Sequence, residues 1–395
     1  MWVGIAVIPG IPAVVLNLYL LRLGYGPEFI GMFNGMSSLG FALSCLPAGA
    51  LGMRWGSRRA MSMGLILTML SYFLLPLAEA LPLFRGVWLV ATRLLVGFGM
   101  ALFFVNARPF VMALAHPRMR GHIFSLRAAL RPLGGFAGSL IAGFLPGVFA
   151  QIYHITLDHP LPYRMPILLS PFLLLPALMA IGRTRGVSPQ KRSWKMERSD
   201  VNMEKLPLAT IGLVAFLSLF RGVGRGSVGA FFNVYLDTTL NVSTATIGSI
   251  KAAGQIVGIF LALLTPFFIS RLGNEKSYLL GFLATTLSLM LIALVPRWAV
   301  AGMGAIGVNA LSAVTVPTFS IYQMEAVNTS WRSTMSGATS MAIGISRSLI
   351  ALGGGFIVAA MGHRALFTMS TGLMLVGVLC FWLFGMRLVN DSTEE

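Results

Sequence analysis

The chain has 395 residues, of which 56% are hydrophobic and 10% charged, with a mean hydropathy of +0.81. A soluble domain would carry about a quarter charged residues, so a soluble enzyme is excluded. A nucleic-acid partner is excluded too: the net charge of +17 comes mostly from short loops between apolar runs, not from one basic face. Twelve such runs predict twelve helices, over 2–22, 29–52, 60–80, 87–112, 122–149, 164–182, 207–232, 245–269, 277–296, 298–324, 334–360 and 365–386. Most have about 20 residues or more, enough to cross a hydrocarbon core of about 30 Å, and only helices can satisfy their own backbone there. Residues 2–22 are apolar for too long to be a cleavable signal and read as the first span. Cys45 and Cys380 both fall in apolar runs, so no disulfide framework is implied.

The sequence repeats itself. The loop after the second run, Pro47–Arg59, is echoed after the eighth, Leu264–Lys276. Leu51 falls on Phe268, Arg54 on Arg271, Gly56 on Gly273 and Arg59 on Lys276, all at an offset of 217 in the numbering. Asn17 and Tyr19 are echoed by Asn233 and Tyr235 at an offset of 216. Two offsets that differ by one indicate a duplication with a small loop insertion, hence two like halves. The expected domains are residues 1–183, a polar linker over 184–206 and residues 207–395. Loop charges orient the chain. Sixteen Lys and Arg lie on the side of the repeated loop and the linker against five on the other (Arg22, Arg85, Arg164, Arg297 and Arg364), which puts both termini in the cytoplasm. The linker itself reads as a tether at the anionic inner leaflet or a partner-binding segment.

Twelve spans as six plus six, a central linker and a repeated basic loop resemble the major facilitator superfamily. The loop Gly49-Ala-Leu51-Gly-Met53-Arg54-Trp-Gly56-Ser57-Arg58-Arg59 is similar to that family's G-x-L-x-D-R-x-G-R-R motif, with Met53 in place of its aspartate and Ser57 in place of one arginine. The resemblance implies an all-α membrane protein of two pseudo-symmetric six-helix bundles. It implies a secondary transporter that moves a small solute by alternating access, as a monomer in the bilayer, with no cofactor or metal and no enzymatic step. Gly49, Arg54, Gly56, Arg58, Arg271 and Gly273 would then belong to the cytoplasmic gate. In the fourth span, Arg93-Leu-Leu-Val-Gly97-Phe-Gly99-Met-Ala101 is similar to the R-x-x-x-G-x-G-x-A pattern of the family's proton-linked exporters.

Eight cations fall inside the predicted spans: Arg93, Arg108, Arg127, Arg131, Arg221, Arg225, Lys251 and Arg347. None of the twelve acidic residues is expected at mid-depth. Charges in a membrane face the bundle interior or a wet cavity, so the pattern favours an anionic solute, such as an organic anion or an exported drug-like compound. Arg221 and Arg225 are four apart, on one helical face, among glycines that would permit a bend. With Arg93 they are the candidate substrate residues, the alternative being that they cap carbonyls of a broken helix. Arg131 and Arg347, 216 apart, read as symmetry mates at the interface of the halves, for bridging or gating. Arg108 and Lys251 are expected to snorkel toward the surfaces. The competing reading of the whole chain is a transporter-like sensor or partner-binding membrane protein that moves no solute, or a lipid-moving variant.

Overall fold

The computed structural model describes residues 10–114, 120–184, 207–328 and 331–386; the side chains of 108, 109, 111–114, 120–129, 131 and 333 also lie outside the described part. Among these residues there are twelve membrane-length or apolar helices. In the first half they are α1 (Gly10–Arg22), α2 (Pro27–Trp55), α3 (Ser57–Leu74, extended by a 3-10 turn Leu75–Ala80), α4 (Arg85–Leu114), α5 (Arg120–Ile152) and α6 (Leu161–Arg183). In the second half they are α7 (Leu208–Thr238), α8 (Thr244–Leu272), α9 (Asn274–Leu294), α10 (Trp298–Glu325), α11 (332–361) and α12 (363–380), the last closing on a π-turn, Phe381–Gly385. All but the short described part of α1 are long and apolar enough to span a bilayer, the last two as one kinked run. Gly362, with φ 83°, makes that kink. Large side chains such as Leu46, Leu70, Phe260, Leu263 and Met361 are exposed around the perimeter, where lipid is the natural solvent. The protein is a multi-pass membrane protein with the fold expected. Residues 185–206 of the linker, and with them any role for it, lie outside the described residues.

The ends of the bundle carrying the repeated loop are here called the linker face, and the opposite ends the far face. Both loop glycines adopt the conformation their recurrence predicts. Gly56 has φ 85° and Gly273 φ 78°, a region that a side chain rarely tolerates. Each ends one long helix and starts the next within a single residue.

The halves meet along three helix pairs, and the pairs repeat by symmetry. Asn17 on α1 donates to the carbonyl of Ala230 on α7 at 2.8 Å, and Asn233 on α7 donates back to Ala13 and Val14 on α1 at 2.6 and 3.0 Å. The echoed asparagines are thus reciprocal ties across the pseudo-two-fold axis. At the second pair, α2 with α11, a Cβ placed on Gly31 would lie 2.3 Å from the Ala351 carbonyl and 3.0 Å from Gly355 Cα. At the third, α8 with α5, a Cβ on Gly248 would lie 2.6 Å from both the Ser139 carbonyl and Gly143 Cα. Gly31 and Gly248 are 217 apart in the numbering, whereas Ala351 and Ser139, and Gly355 and Gly143, are each 212 apart.

That second offset corrects one expectation. When α5 is set on α11 by it, the counterpart of Arg347 is Gly135 and that of Arg131 is Ile343. The two arginines are not symmetry mates; an insertion between the second and fifth helices shifts the register, and one constant spacing cannot see it.

The ties between halves gather at the far face. Arg22 at the end of α1 grips Asp237 on α7 with both terminal nitrogens, at 2.8 and 2.9 Å, while its Nε donates to the Leu157 carbonyl at 2.9 Å. Such bidentate charge-assisted pairs are among the stronger polar contacts. The Tyr163 and Thr244 hydroxyls, 3.2 Å apart, join α6 to α8, and Ser348 donates to the Gly35 carbonyl at 3.1 Å.

Candidate functional site: a cation-lined central cavity

Between the halves lies a cavity of about 600 Å³. Its walls come from α1, α2, α4 and α5 of the first half and α7, α8, α10 and α11 of the second. Small residues make the space: Gly10, Gly135, Gly229, Gly254, Gly258 and Ala262 among them. The cavity reaches Ala262 on α8 and Pro317 on α10. Each lies about five helical turns, or roughly 27 Å, from the far-face end of its helix. The space therefore extends from mid-depth toward the linker face while the far face is tied shut.

Among the described residues, four cations line it: Arg93 from α4, Arg225 from α7, Lys251 from α8 and Arg347 from α11. No Asp or Glu is among the described lining residues. The Arg93 guanidinium stands over the Phe33 ring, 5.3 Å from its centroid, with one terminal nitrogen 3.4 Å from the Tyr72 hydroxyl. Its buried Nε has no protein hydrogen-bond partner. Neutral hydrogen-bonding groups complete the wall, chiefly Asn34, Gln255, Asn309 and Ser312.

The glycines of α7 explain how Arg225 and Arg347 reach the same place. The glycines do not break the helix: α7 runs as one continuous helix from Leu208 to Thr238. The glycines instead admit neighbours. A Cβ on Gly222 would meet Ser346 Oγ at 2.7 Å, one on Gly224 the Met374 sulfur at 2.5 Å, and one on Gly226 would sit 3.4 Å from Arg347 Cα. Close packing of α7 on α11, rather than helix breaking, is what the sequence F-R-G-V-G-R-G-S encodes here.

Over residues 5–351 the sequence matches the Major Facilitator Superfamily. The chain belongs to that family. Its fold is also similar to the crystal structures of a D-xylose-proton symporter (14% identity, 97% of this chain and 96% of that chain, TM-score 0.79) and the nucleoside transporter NupG (13%, 97% and 98%, 0.69). A third similar structure is a bacterial homolog of the human lysosomal transporter Spinster in an inward-facing and occupied conformation (13%, 97% and 94%, 0.71). Identities this low are a likeness of fold alone. As a major facilitator the protein is a membrane transporter, and the central cavity lies where the two halves of such a fold meet.

The sequence-predicted residues divide accordingly. Arg93, Arg225 and Arg347 come together in the cavity. Arg221 does not reach it. It lines an adjoining space of about 20 Å³ with Arg225, Ser312 and Thr315, room for about one water, and stands 4.9 Å from the centroid of Phe319. The side chains of Arg108, Arg127 and Arg131 lie outside the described residues. In the repeated loop, Arg58 donates to the Gly182 carbonyl near the end of α6, within its own half, and Arg271 stacks on Phe267 at 5.3 Å. Gly49 faces Val105 on α4. Arg54 and Met53 are exposed at the linker face.

Lys251 is the main correction. It does not snorkel outward but points inward, its Nζ donating to the Ala13 carbonyl of α1 in the other half. A signal for it is present in the sequence. Lys251, Gly254, Gln255, Gly258 and Ala262 recur at helical spacing as one face of small and polar residues in an otherwise apolar helix. Asn309, Ser312, Ala313 and Val316 do the same on α10, and both faces line the cavity.

Proposed function

We propose that this transporter moves a small anionic solute by alternating access, residues 1–183 and 207–395 rocking as two bodies about the central cavity. The observation that carries the reading is the convergence of four cations on one cavity whose described lining includes no Asp or Glu. Like charges around a confined volume with low-dielectric walls focus their field and concentrate anions, and a cavity of this size is in the range of small-molecule sites. Arg93 comes from the first half, Arg225, Lys251 and Arg347 from the second. An anion held between them draws the halves together, which is the coupling an alternating mechanism needs. Asn34, Gln255, Asn309 and Ser312 would bind the uncharged part of the solute.

The test is a thermal-stability screen of the purified protein with benzoate, succinate, inorganic phosphate and glucose 6-phosphate, against glucose and benzyl alcohol as neutral counterparts. A ligand at about 100 times its Kd adds roughly 2.7 kcal/mol, so at least one anion should raise Tm by several degrees while the neutral compounds leave it unchanged. Equal stabilisation by the neutral compounds would rule out the anionic reading.

The linker face is proposed to be cytoplasmic, on the excess of Lys and Arg in its loops. A Ser57→Cys protein should then react with a membrane-impermeant maleimide in inside-out vesicles and not in intact cells; labelling in intact cells would reverse the orientation.

A further inference from the structure

We propose that Lys251 is the proton-coupling residue of this transporter: its amine takes up one proton as an anion enters the central cavity and gives it back when the anion leaves. The inference deepens the anionic reading and rests on it.

Proton-linked transport through a membrane needs a side chain in the pathway that changes charge. Among the described residues, the lining of the cavity contains no Asp, Glu, His, Cys or Tyr. Arginine stays charged in proteins, so Arg93, Arg225 and Arg347 hold fixed charges. Among the described lining residues, Lys251 is the one whose charge can change, since lysine is the basic side chain whose proton affinity responds to its surroundings.

Its neighbours fix the sign of the coupling. Among the described residues, the charged groups facing the same cavity are the guanidiniums of Arg93 on α4, Arg225 on α7 and Arg347 on α11, and the described lining residues of α1, α2, α5 and α10 are uncharged. Against this background an incoming anion favours the ammonium form over the amine. Binding of the anion and of the proton are then reciprocal, each strengthening the other. The proton comes from the bath to which the cavity is open and leaves to the opposite bath with the anion, giving symport.

The position of the amine links this charge change to the motion of the halves. Lys251 on α8 and Asn233 on α7 both donate to the Ala13 carbonyl on α1. In the empty cavity the amine is therefore a tie between halves. A bound anion competes with Ala13 for it, so occupancy and protonation are read at the boundary about which the halves move.

The experiment is isothermal titration calorimetry of the full-length protein in nanodiscs, with benzoate, succinate and glucose 6-phosphate as probes, in two buffers of different ionisation enthalpy. For a probe that binds, the wild type should take up close to one proton per anion, with affinity falling about tenfold per pH unit above the titration of Lys251. Lys251→Arg keeps the charge but cannot release it: uptake should fall to zero and affinity should become independent of pH. In proteoliposomes its ratio of pH-gradient-driven accumulation to exchange should drop at least tenfold. Lys251→Met should bind more weakly and likewise take up no proton. Unchanged proton uptake in Lys251→Arg would overturn the assignment while leaving the anion site standing. Failure of all three probes to bind the wild type, with no stabilisation by inorganic phosphate in the thermal screen, would overturn the anionic reading and this inference together.

Discussion

Arg93→Ala and Arg225→Ala proteins should insert and fold, yet bind the anion roughly 10- to 150-fold more weakly than the wild type. Hydrogen bonds to charged groups contribute about 1.5–3 kcal/mol each, and each 1.4 kcal/mol is about tenfold in affinity. The cost to the fold is smaller because both side chains face the cavity. Arg93 rests on Phe33 and Tyr72, and a cation over a ring contributes about 0.5–2 kcal/mol. Removing one of several like charges from a shared cavity also relieves repulsion, which offsets part of that loss. A residue that merely braced the structure would behave in the opposite way, with a large drop in Tm and proportional losses for every solute. Binding by calorimetry and Tm on the same samples separate the two. Arg93→Lys should recover part of the affinity, since charge is kept while the planar fork is lost.

Gly31→Leu and Gly248→Leu should each reduce transport at least tenfold while leaving the protein folded. Both glycines sit where two helices of opposite halves touch backbone to backbone near the far face, Gly31 against Ala351 and Gly355, Gly248 against Ser139 and Gly143. A leucine has no space at either point. Overpacking costs about 1–3 kcal/mol where a core cannot yield, but here the halves can yield by parting, so the strain is relieved by loss of the far-face closure. The readout is access to the cavity: Ala13→Cys, which lines it, should react with an impermeant reagent from the far face at least tenfold faster in the Gly248→Leu background than without it. Because Gly31 and Gly248 are symmetry counterparts, the two substitutions should have like effects; a large effect from one alone would argue that a single helix pair forms the closure.

Much of this architecture is legible in the residues. The twelve apolar runs become the twelve helices among the described residues, the first from Gly10 onward and the others with ends shifted by a few residues, because a membrane leaves the backbone no alternative to the helix. The glycine of the repeated loop recurs because the turn needs positive φ, and Gly56 and Gly273 both have it. The paired asparagines recur because each donates across the same axis. What is not legible depends on register between helices distant in sequence. Arg131 and Arg347 share a spacing with the asparagines, yet the packed glycines of α5 and α11 follow another. Direction is the other hidden quantity. Depth along a helix can be read by counting, and counting puts Lys251 near a surface. Which way a side chain faces needs the pattern of its own helix, and there the small and polar face Lys251, Gly254, Gln255 and Gly258 carries the information. The arginines of α7 show the reverse: the spacing puts Arg221 and Arg225 on one face, but packing lets only Arg225 into the large cavity, while Arg221 is taken up by Phe319.

The central claim is that an anion crosses between the two halves through the cation-lined cavity. Counterflow in proteoliposomes tests it most directly, with vesicles loaded with the unlabelled anion that stabilises the protein and trace labelled anion outside. The expected result is saturable accumulation of label by the wild type, at least tenfold slower for Arg225→Ala, and none for labelled glucose. Equal exchange of glucose, or anion counterflow undiminished in Arg225→Ala, would contradict it.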